Sequence, residues 1–317
     1  MAEGDLIGVV TVTYNSAEVL PDFLRCMAGQ THHNYILFVV DNASKDETPT
    51  LLASCCDARV RVIANPANLG VAEGNNQGIN AALEANCDKV LLINNDTEFG
   101  EELITGLLNG LEHHGADMCC PKIMYFDAPD RIWAAGGKFR PFLGFTTVHL
   151  GFRQTDRGQF NQDRPVDYVP TCSVLIRKRV FEKIGLMDPR YFVYVDDVDF
   201  MYRARKCGIK LFYLANVILL HKAGFLTGGE GSLFAMRFNL RNRLYFLMKH
   251  FGIIRTLPWL LLHQAVWPIQ TIVYRKNWKW FWTKQQAFLE SIRMYRETVS
   301  DRHRSLGSSQ CGSQILL

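Results

Sequence analysis

The sequence predicts an α/β protein built on an open, Rossmann-like sheet with helices on both faces, followed by a helical, basic C-terminal appendage. Three observations carry this. Short apolar runs rich in β-branched residues alternate with stretches of helical periodicity, at the spacing of β-α units. The runs over 7–12, 35–40 and 90–93 stop abruptly at polar side chains, which is how such a sheet presents ligand-binding groups at its carboxyl edge. The charge balance also reverses late in the chain: from Arg237 onward there are 13 Lys/Arg against 3 Asp/Glu, and before it 22 against 28.

At 317 residues and 48% hydrophobic content, the chain has ample material for a large core. The expected division is an α/β domain over 1–235, a helical basic region over 236–304 and a loose tail over 305–317. The opening MAEGDLIGVV passes straight into a strand pattern, without the basic and apolar segments of an export leader, so the expectation is a cytoplasmic protein. Nine scattered cysteines, with neighbours at Cys55/Cys56 and Cys119/Cys120, match neither a disulfide framework nor zinc-site spacing. The net charge of +4 conceals the basic C-terminal part, which calls for an anionic partner.

The first predicted strand, 7–12, ends at Thr13, Tyr14 and Asn15. Ser16 is placed to cap a helix read from Val19, Leu20, Phe23, Leu24 and Met27. The run 35–40 repeats the pattern and ends at Asp41, Asn42, Ala43 and Ser44, with Asp46 and Thr48 opening the next helix. A third short strand covers 60–63. Asn68 to Asn76, through Gly70, Glu73 and Asn75, reads as a polar turn leading into a helix with Ile79 and Leu83. The run 90–93 is apolar throughout, as a strand buried on both faces should be, and gives way to Asn94, Asn95 and Asp96. Asp96 offers a hard carboxylate and the two amides neutral oxygens, a set suited to Mg²⁺ or Mn²⁺ brought in with a diphosphate. Taken alone, the segment reads first as a strand followed by an ordinary Asn/Asp turn.

Residues 101–114 have a helical pattern, and 117–125 form a strand whose Pro121 implies a kink or an edge position. Between 126 and 168, Gly136, Gly137, Gly144, Gly151 and Gly158 stand among aromatic and charged residues, a composition of long loops and hairpins that often form a binding wall. A strand at 174–176 and a helix at 179–184 follow, the helix stopped by Gly185. Asp196, Asp197 and Asp199 then crowd three carboxylates ahead of a helix whose opposite face carries Arg203, Arg205 and Lys206. Acidic groups at a helix N-terminus are ordinarily dipole partners worth ~0.3–1 kcal/mol each. Packed together beside aromatic residues they also repel one another, which raises at least one pKa and makes a proton acceptor near neutral pH. The last strand, 210–220, ends at His221, an imidazole that is structural unless it faces a metal.

Past residue 236 the pattern changes. Arg237, Arg241, Arg243, Lys249 and Arg255 alternate with apolar residues in a basic amphipathic helix. Residues 256–274 carry no formal charge and are nearly long enough to span a bilayer, yet Pro258, His263, Gln264, Pro268 and Gln270 interrupt them. Trp278, Lys279, Trp280, Phe281 and Trp282 suit a headgroup layer. The competing reading is a helix packed on the main domain or on a partner subunit, which leaves a homo-oligomer open. No internal repeat is present.

Thr13-Tyr14-Asn15, Asp41-Asn42-Ala43-Ser44 with Asp46, Asn68-Leu69-Gly70 with Asn75-Asn76, Asn94-Asn95-Asp96, Asp197 with Asp199, and His221 form an ordered set of motifs. Together they resemble the family 2 glycosyltransferases of the GT-A fold, particularly the bacterial rhamnosyltransferase-like group, over about residues 5–250. The resemblance implies inverting transfer of a sugar from a nucleotide diphosphate donor with a divalent cation, Mn²⁺ or Mg²⁺. Position by position, it implies that Thr13, Tyr14, Asp41 and Asn42 hold the base and ribose and that Asn68 and Asn75 line the nucleotide. Asn15, Gly70, Asn94, Asn95 and Arg241 are counted with the same nucleotide-sugar site. Asp96 binds the metal as the last residue of a degenerate DxD motif, His221 helps to coordinate metal or diphosphate, and Asp197 is the base.

Several positions depart from the family pattern. Asp196-Asp197 stands where Glu-Asp is usual, which leaves Asp196 as a second candidate for the base. Glu73 replaces a common glycine, Thr171-Cys172 replaces Gly-Ala, and Asn94 replaces the first Asp of DxD, lowering the negative charge on the metal site. The absence of a QxxRW-like element argues against a processive synthase. The expected activity is transfer of rhamnose from dTDP-rhamnose to a saccharide or lipid-linked acceptor in bacterial cell-surface glycan assembly. It is expected peripherally at the inner face of an anionic membrane, with no nucleic acid partner. The alternatives are a UDP-galactose or UDP-glucose transferase and a catalytically silent nucleotide-sugar-binding scaffold.

Overall fold

The computed structural model describes residues 5–141, 145–222, 232–273 and 278–311, with 302–311 described by backbone alone. It divides into two compact units, Met1–Leu226 and Thr227–Leu317. Gly144 and the tail residues 312–317 lie outside the described residues.

The first unit begins with β1 (Ile7–Thr13), α1 (Leu20–Ala28), β2 (Tyr35–Asp41), α2 (Thr48–Ala53), β3 (Val60–Ala64), α3 (Gly70–Glu84) and β4 (Lys89–Ile93). These four strands pair in parallel in the spatial order β4-β1-β2-β3, as apolar strands joined by helical crossovers must. The chain continues through β5 (Thr97–Phe99), α4 (Leu103–His113), β6 (Met118–Tyr125), β7 (Ile132–Ala134), β8 (Gly137–Arg140), β9 (Thr146–His149), β10 (Arg164–Pro165), β11 (Ser173–Arg177), α5 (Lys178–Ile184), α6 (Asp196–Lys206) and β12 (Leu211–His221). β11 runs antiparallel between β4 and β6, so the sheet is mixed, in the order β10-β12-β6-β11-β4-β1-β2-β3. β8 and β9 form the hairpin expected of the glycine-rich middle.

Three local expectations are revised by packing. Of the two expectations for Pro121, a kink or an edge position, the edge is ruled out, since β6 lies between β12 and β11. Its missing N–H is accommodated where β12 shifts register between Leu214 and Ile218, opposite Pro121 and Lys122, and β11 pairs only with Met118 and Cys119. Ser16 does not cap α1 through its side chain. Its hydroxyl instead accepts from Tyr14 N at 3.2 Å and from Asn95 Nδ2 at 3.1 Å, tying the end of β1 to the end of β4. Asn75 and Asn76, expected in a turn, lie in the second turn of α3. That helix lies directly against β1 because Gly74 and Gly78 face it: a Cβ on Gly78 would stand 2.2 Å from Val10 Cγ1.

The second unit is α7 (Leu233–Phe251), α8 (Ile253–Val273) and α9 (Trp278–Cys311), packed around Leu244, Met248, Leu260 and Trp267. Pro258 and Pro268 both lie inside α8. The backbone of α9 continues to Cys311, into the segment expected as tail. Among the described residues, no helix is long and apolar enough to cross a membrane.

Candidate active site

The carboxyl ends of β1 and β2 are in register at Thr13 and Asp41. The buried Asp41 carboxylate accepts from Thr13 Oγ1 at 2.9 Å and from Ser44 Oγ at 2.5 Å, so it is held rigid at the rim. Asn15, with φ 51°, donates its N–H to Ser44 Oγ, and its side-chain oxygen accepts from Lys45 N, clasping the loop after β1 to the loop after β2. Tyr14 remains 41% exposed beside them, free to stack on a flat ligand. Asn42 donates to the carbonyl of Gly70 at 3.0 Å, and Asn68 accepts from Gly70 N at 2.9 Å, which fixes the start of α3. Gly70 is required there: it has φ 85°, and a Cβ would fall 2.4 Å from the carbonyl oxygen of Phe192. Asn75 points its amide at the Met187 sulfur, and Asn76 exchanges two 2.9 Å hydrogen bonds with the Met187 backbone. Both asparagines therefore hold the segment that leads to α6.

The turn after β4 is pinned on three sides. Asn94 N donates to the carbonyl of Cys172, Asn95 Nδ2 to that of Val12, and Lys222 N to that of Asp96. Beyond it, β5 pairs antiparallel with the end of β12, with Thr97 opposite His221. This register sets His221 Nε2 3.3 Å from Asp96 Oδ1, both side chains more than nine-tenths buried. The approach is close enough for an ion pair but lacks hydrogen-bond geometry. Among the described residues, Asp96 Oδ1, His221 Nδ1 and Asn95 Oδ1 are buried with no hydrogen-bond partner. An unsatisfied buried polar atom costs ~1–3 kcal/mol, so two on the turn after β4 and one at the facing end of β12 make this a candidate place for a ligand. Burial opposes charge on His221, while the Cys172 thiol and the Asp96 carboxylate beside it favour charge, with a net rise to about 10. Among the described residues no group of three or more His, Cys, Asp or Glu side chains could cage a metal. Asp96 and His221 fit a hard divalent cation that takes its remaining ligands from water and a diphosphate.

The acidic motif opens α6 after Phe192, Tyr194 and Val195, all with positive φ between 63° and 66°. Three such residues in so short a span make a strained loop directly before the helix that carries the carboxylates. Their environments differ. Asp199 is fully buried between the Tyr191 hydroxyl at 3.1 Å and Arg203 Nε at 2.9 Å, and Arg203 also donates to the carbonyls of Ile184 and Leu186. Arg203 thus shares a face with Asp199, contrary to the expected opposite face, because the two are one helical turn apart. Asp197 is half-buried; its Oδ2 accepts from Tyr168 OH at 2.5 Å and its Oδ1 from Val198 N at 2.8 Å. Burial raises the Asp197 pKa, and the Tyr168 hydrogen bond works the other way. Burial and the neighbouring charge of Asp197 push Asp196 up to about 8.

Tyr168 links this carboxylate to the metal-type pair. Its ring stacks on His149, His149 meets Trp133 edge-on, and Trp133 meets His221 at 4.6 Å. Burial holds His149 down at about 4, neutral in ordinary conditions. Tyr168, His149 and Trp133 have no motif in the sequence, and their only signal is an irregular stretch dense in glycine and aromatics; Cys172 stands out only as a departure from Gly-Ala. Arg241 lies on α7 of the second unit, where it donates to Asn242 Oδ1 and covers the Phe238 ring.

The family model described as Glycosyl transferase family 2 matches residues 8–185. The low-salt glycan biosynthesis hexosyltransferase Agl10 of Haloferax volcanii is 26% identical over 243 residues, covering 75% of this chain and 74% of the relative. The N-acetylglucosaminyl-diphospho-decaprenol L-rhamnosyltransferase of Mycobacterium tuberculosis is 28% identical over 248 residues, covering 71% and 79%. Among solved structures, GalNAc-T7 with UDP, GalNAc and Mn²⁺ superposes with a TM-score of 0.60 at 15% identity over 77% of this chain; the match spans only 47% of the GalNAc-T7 chain. The mannosyltransferase PcManGT of Pyrobaculum calidifontis, in complex with GDP-Man and Mn²⁺, superposes with a TM-score of 0.51 at 13% identity, over 98% of this chain and 81% of its own.

Proposed function

The chain belongs to glycosyl transferase family 2 and is a glycosyltransferase of the GT-A fold, and from that premise we propose that it performs inverting, metal-dependent transfer of a sugar from a nucleotide diphosphate donor. The observation that carries this reading is the Asp96–His221 pair: Asp96 lies on a turn stitched by Asn95 to the end of β1, His221 ends β12 beside it, and each has a buried atom without a partner among the described residues. Thr13, Tyr14, Asn15, Asp41 and Asn42 form the cradle for base and ribose, with Asn68 and Gly70 closing it and Asn75 acting through the segment it holds. Asn94 and Asn95 present the turn to the diphosphate.

Asp96 and His221 would hold Mn²⁺ or Mg²⁺, which when bound neutralises charge on the departing diphosphate. Asp197 takes the proton from the acceptor hydroxyl while that oxygen bonds to the anomeric carbon. The bond from that carbon to the diphosphate breaks, and the nucleoside diphosphate leaves with the electron pair. Attack opposite the leaving group inverts the centre. Asp197 is favoured over Asp196 because it is the more exposed of the two and its orientation is set by Tyr168.

The donor reading is dTDP-rhamnose and the acceptor a saccharide or lipid-linked saccharide, served at the inner face of an anionic membrane. The rhamnosyltransferase relative, whose name specifies a decaprenol-linked substrate, supports this. The hexosyltransferase relative supports a second reading, a UDP-hexose donor. Retention of Asp96, Asp197 and His221 together counts against a silent scaffold. A thermal-shift screen of nucleotide sugars with Mn²⁺, followed by release of nucleoside diphosphate, tests all three: stabilisation by one donor with release identifies it, and binding of donors without release by any acceptor would favour the scaffold.

A further inference from the structure

Helix α8 is apolar on its outer side as well as its inner one. Its buried residues include Thr256 and Thr271 beside Leu260 and Trp267, and its half-buried Gln264 and Gln270 accept from Gln285 at 2.9 Å and from Lys284 at 3.3 Å. Its outward stripe is apolar: Ile254, Leu257, Leu261, Ile269 and Ile272 recur at helical spacing with exposures of 84, 47, 61, 59 and 74%. No Asp, Glu, Lys or Arg occurs from Thr256 to Val273. A helix that faced only water would place its glutamines outside and its leucines inside. At 21 residues and about 1.5 Å per residue the stripe is about 30 Å long, far beyond the scattered exposed apolar residues normal for a monomer.

We propose that α8 lies in the plane of a lipid bilayer and inserts this stripe below the headgroups. Three observations select lipid as the occupant. α8 is not apolar enough to cross a membrane, while its one-sided stripe suits the interface. Trp278 and Trp282, 66% and 64% exposed, begin the next helix with Lys279 between them, the residue types of the headgroup layer. The chain beyond residue 236 is strongly basic, which favours an anionic surface and disfavours burying the stripe against a second, equally basic copy. This deepens the lipid-linked-acceptor reading by naming the surface that reaches the lipid. Insertion adds an apolar contribution that salt does not screen, so binding should survive salt.

The test is flotation of the full-length protein with vesicles of phosphatidylcholine alone or mixed with phosphatidylglycerol, at low and high salt, beside the double variant L261D/I272D. Both substitutions are at exposed sites, and donor hydrolysis in solution reports that the catalytic unit remains intact. The expected result is flotation with both vesicle types, stronger on the anionic ones and retained at high salt, with a loss of about tenfold or more in the double variant. Flotation confined to anionic vesicles at low salt and equal in the variant would overturn insertion, as would no flotation at all. A wild-type dimer that the double variant converts to monomer would assign the stripe to self-association and equally overturn it. Donor turnover is read separately, so failure of the donor reading leaves this result interpretable.

Discussion

His221 Nε2 stands 3.3 Å from Asp96 Oδ1 because the antiparallel register of β5 and β12 sets His221 opposite Thr97. Each of the two side chains also has a buried atom without a partner among the described residues, which is why the metal proposal is centred on them.

Asp96→Asn is expected to lower nucleoside diphosphate release by ~10²–10³, the usual cost of removing one group that stabilises developing charge. His221→Ala should raise the Mn²⁺ concentration needed for half-maximal turnover. Titration of EDTA-stripped enzyme with Mn²⁺ measures both; full activity of either variant without added metal would remove the metal role.

Asp197→Asn should leave donor affinity nearly unchanged and reduce transfer by ~10²–10⁴, since the amide keeps the shape and loses the basicity. Single-turnover transfer with equilibrium donor binding separates the two effects. If Asp196→Asn is the crippling change and Asp197→Asn is mild, the two roles exchange.

Tyr168→Phe removes a hydrogen bond that holds the Asp197 pKa down against burial. The rising limb of the pH–rate profile should therefore move to higher pH in this variant. A fall in rate at every pH with an unmoved midpoint would make Tyr168 a packing residue only.

Asp196 has its pKa raised by burial from 3.8 to about 8. A raised carboxyl pKa favours the folded state fully below the unfolded value, and that contribution is lost as pH rises through the folded value. Stability should thus decline between about pH 4 and about pH 8, and Asp196→Asn should flatten the decline, as measured by denaturant unfolding across that range.

Arg203→Met should destabilise the first unit by ~3–5 kcal/mol, because it strands the fully buried Asp199 and releases the carbonyls of Ile184 and Leu186. Denaturant midpoints would show this, while Asp197→Asn should not produce a loss of that size. Equal, small effects would deny Asp199 its structural role.

Much of the molecule was legible in the sequence because strands, helices and their ends are local. The apolar runs at β1, β2 and β4, the polar residues that follow them and the stop at Gly185 each depend on neighbours a few residues away, and so does the ordered series of motifs that carried the family resemblance. What only the tertiary structure decided were relations across long separations. Strand register joined Asp96 to His221, and the folding of the irregular 126–168 stretch delivered Tyr168 to Asp197. The same packing gave the three aspartates different partners, Arg203 for Asp199 and Tyr168 for Asp197, put Pro121 in the sheet interior beside a register shift, and left one apolar stripe of α8 exposed. Residue spacing encodes which side chains share a face. Which face meets what depends on strand pairing and close packing between segments far apart in the chain, and no local period records that.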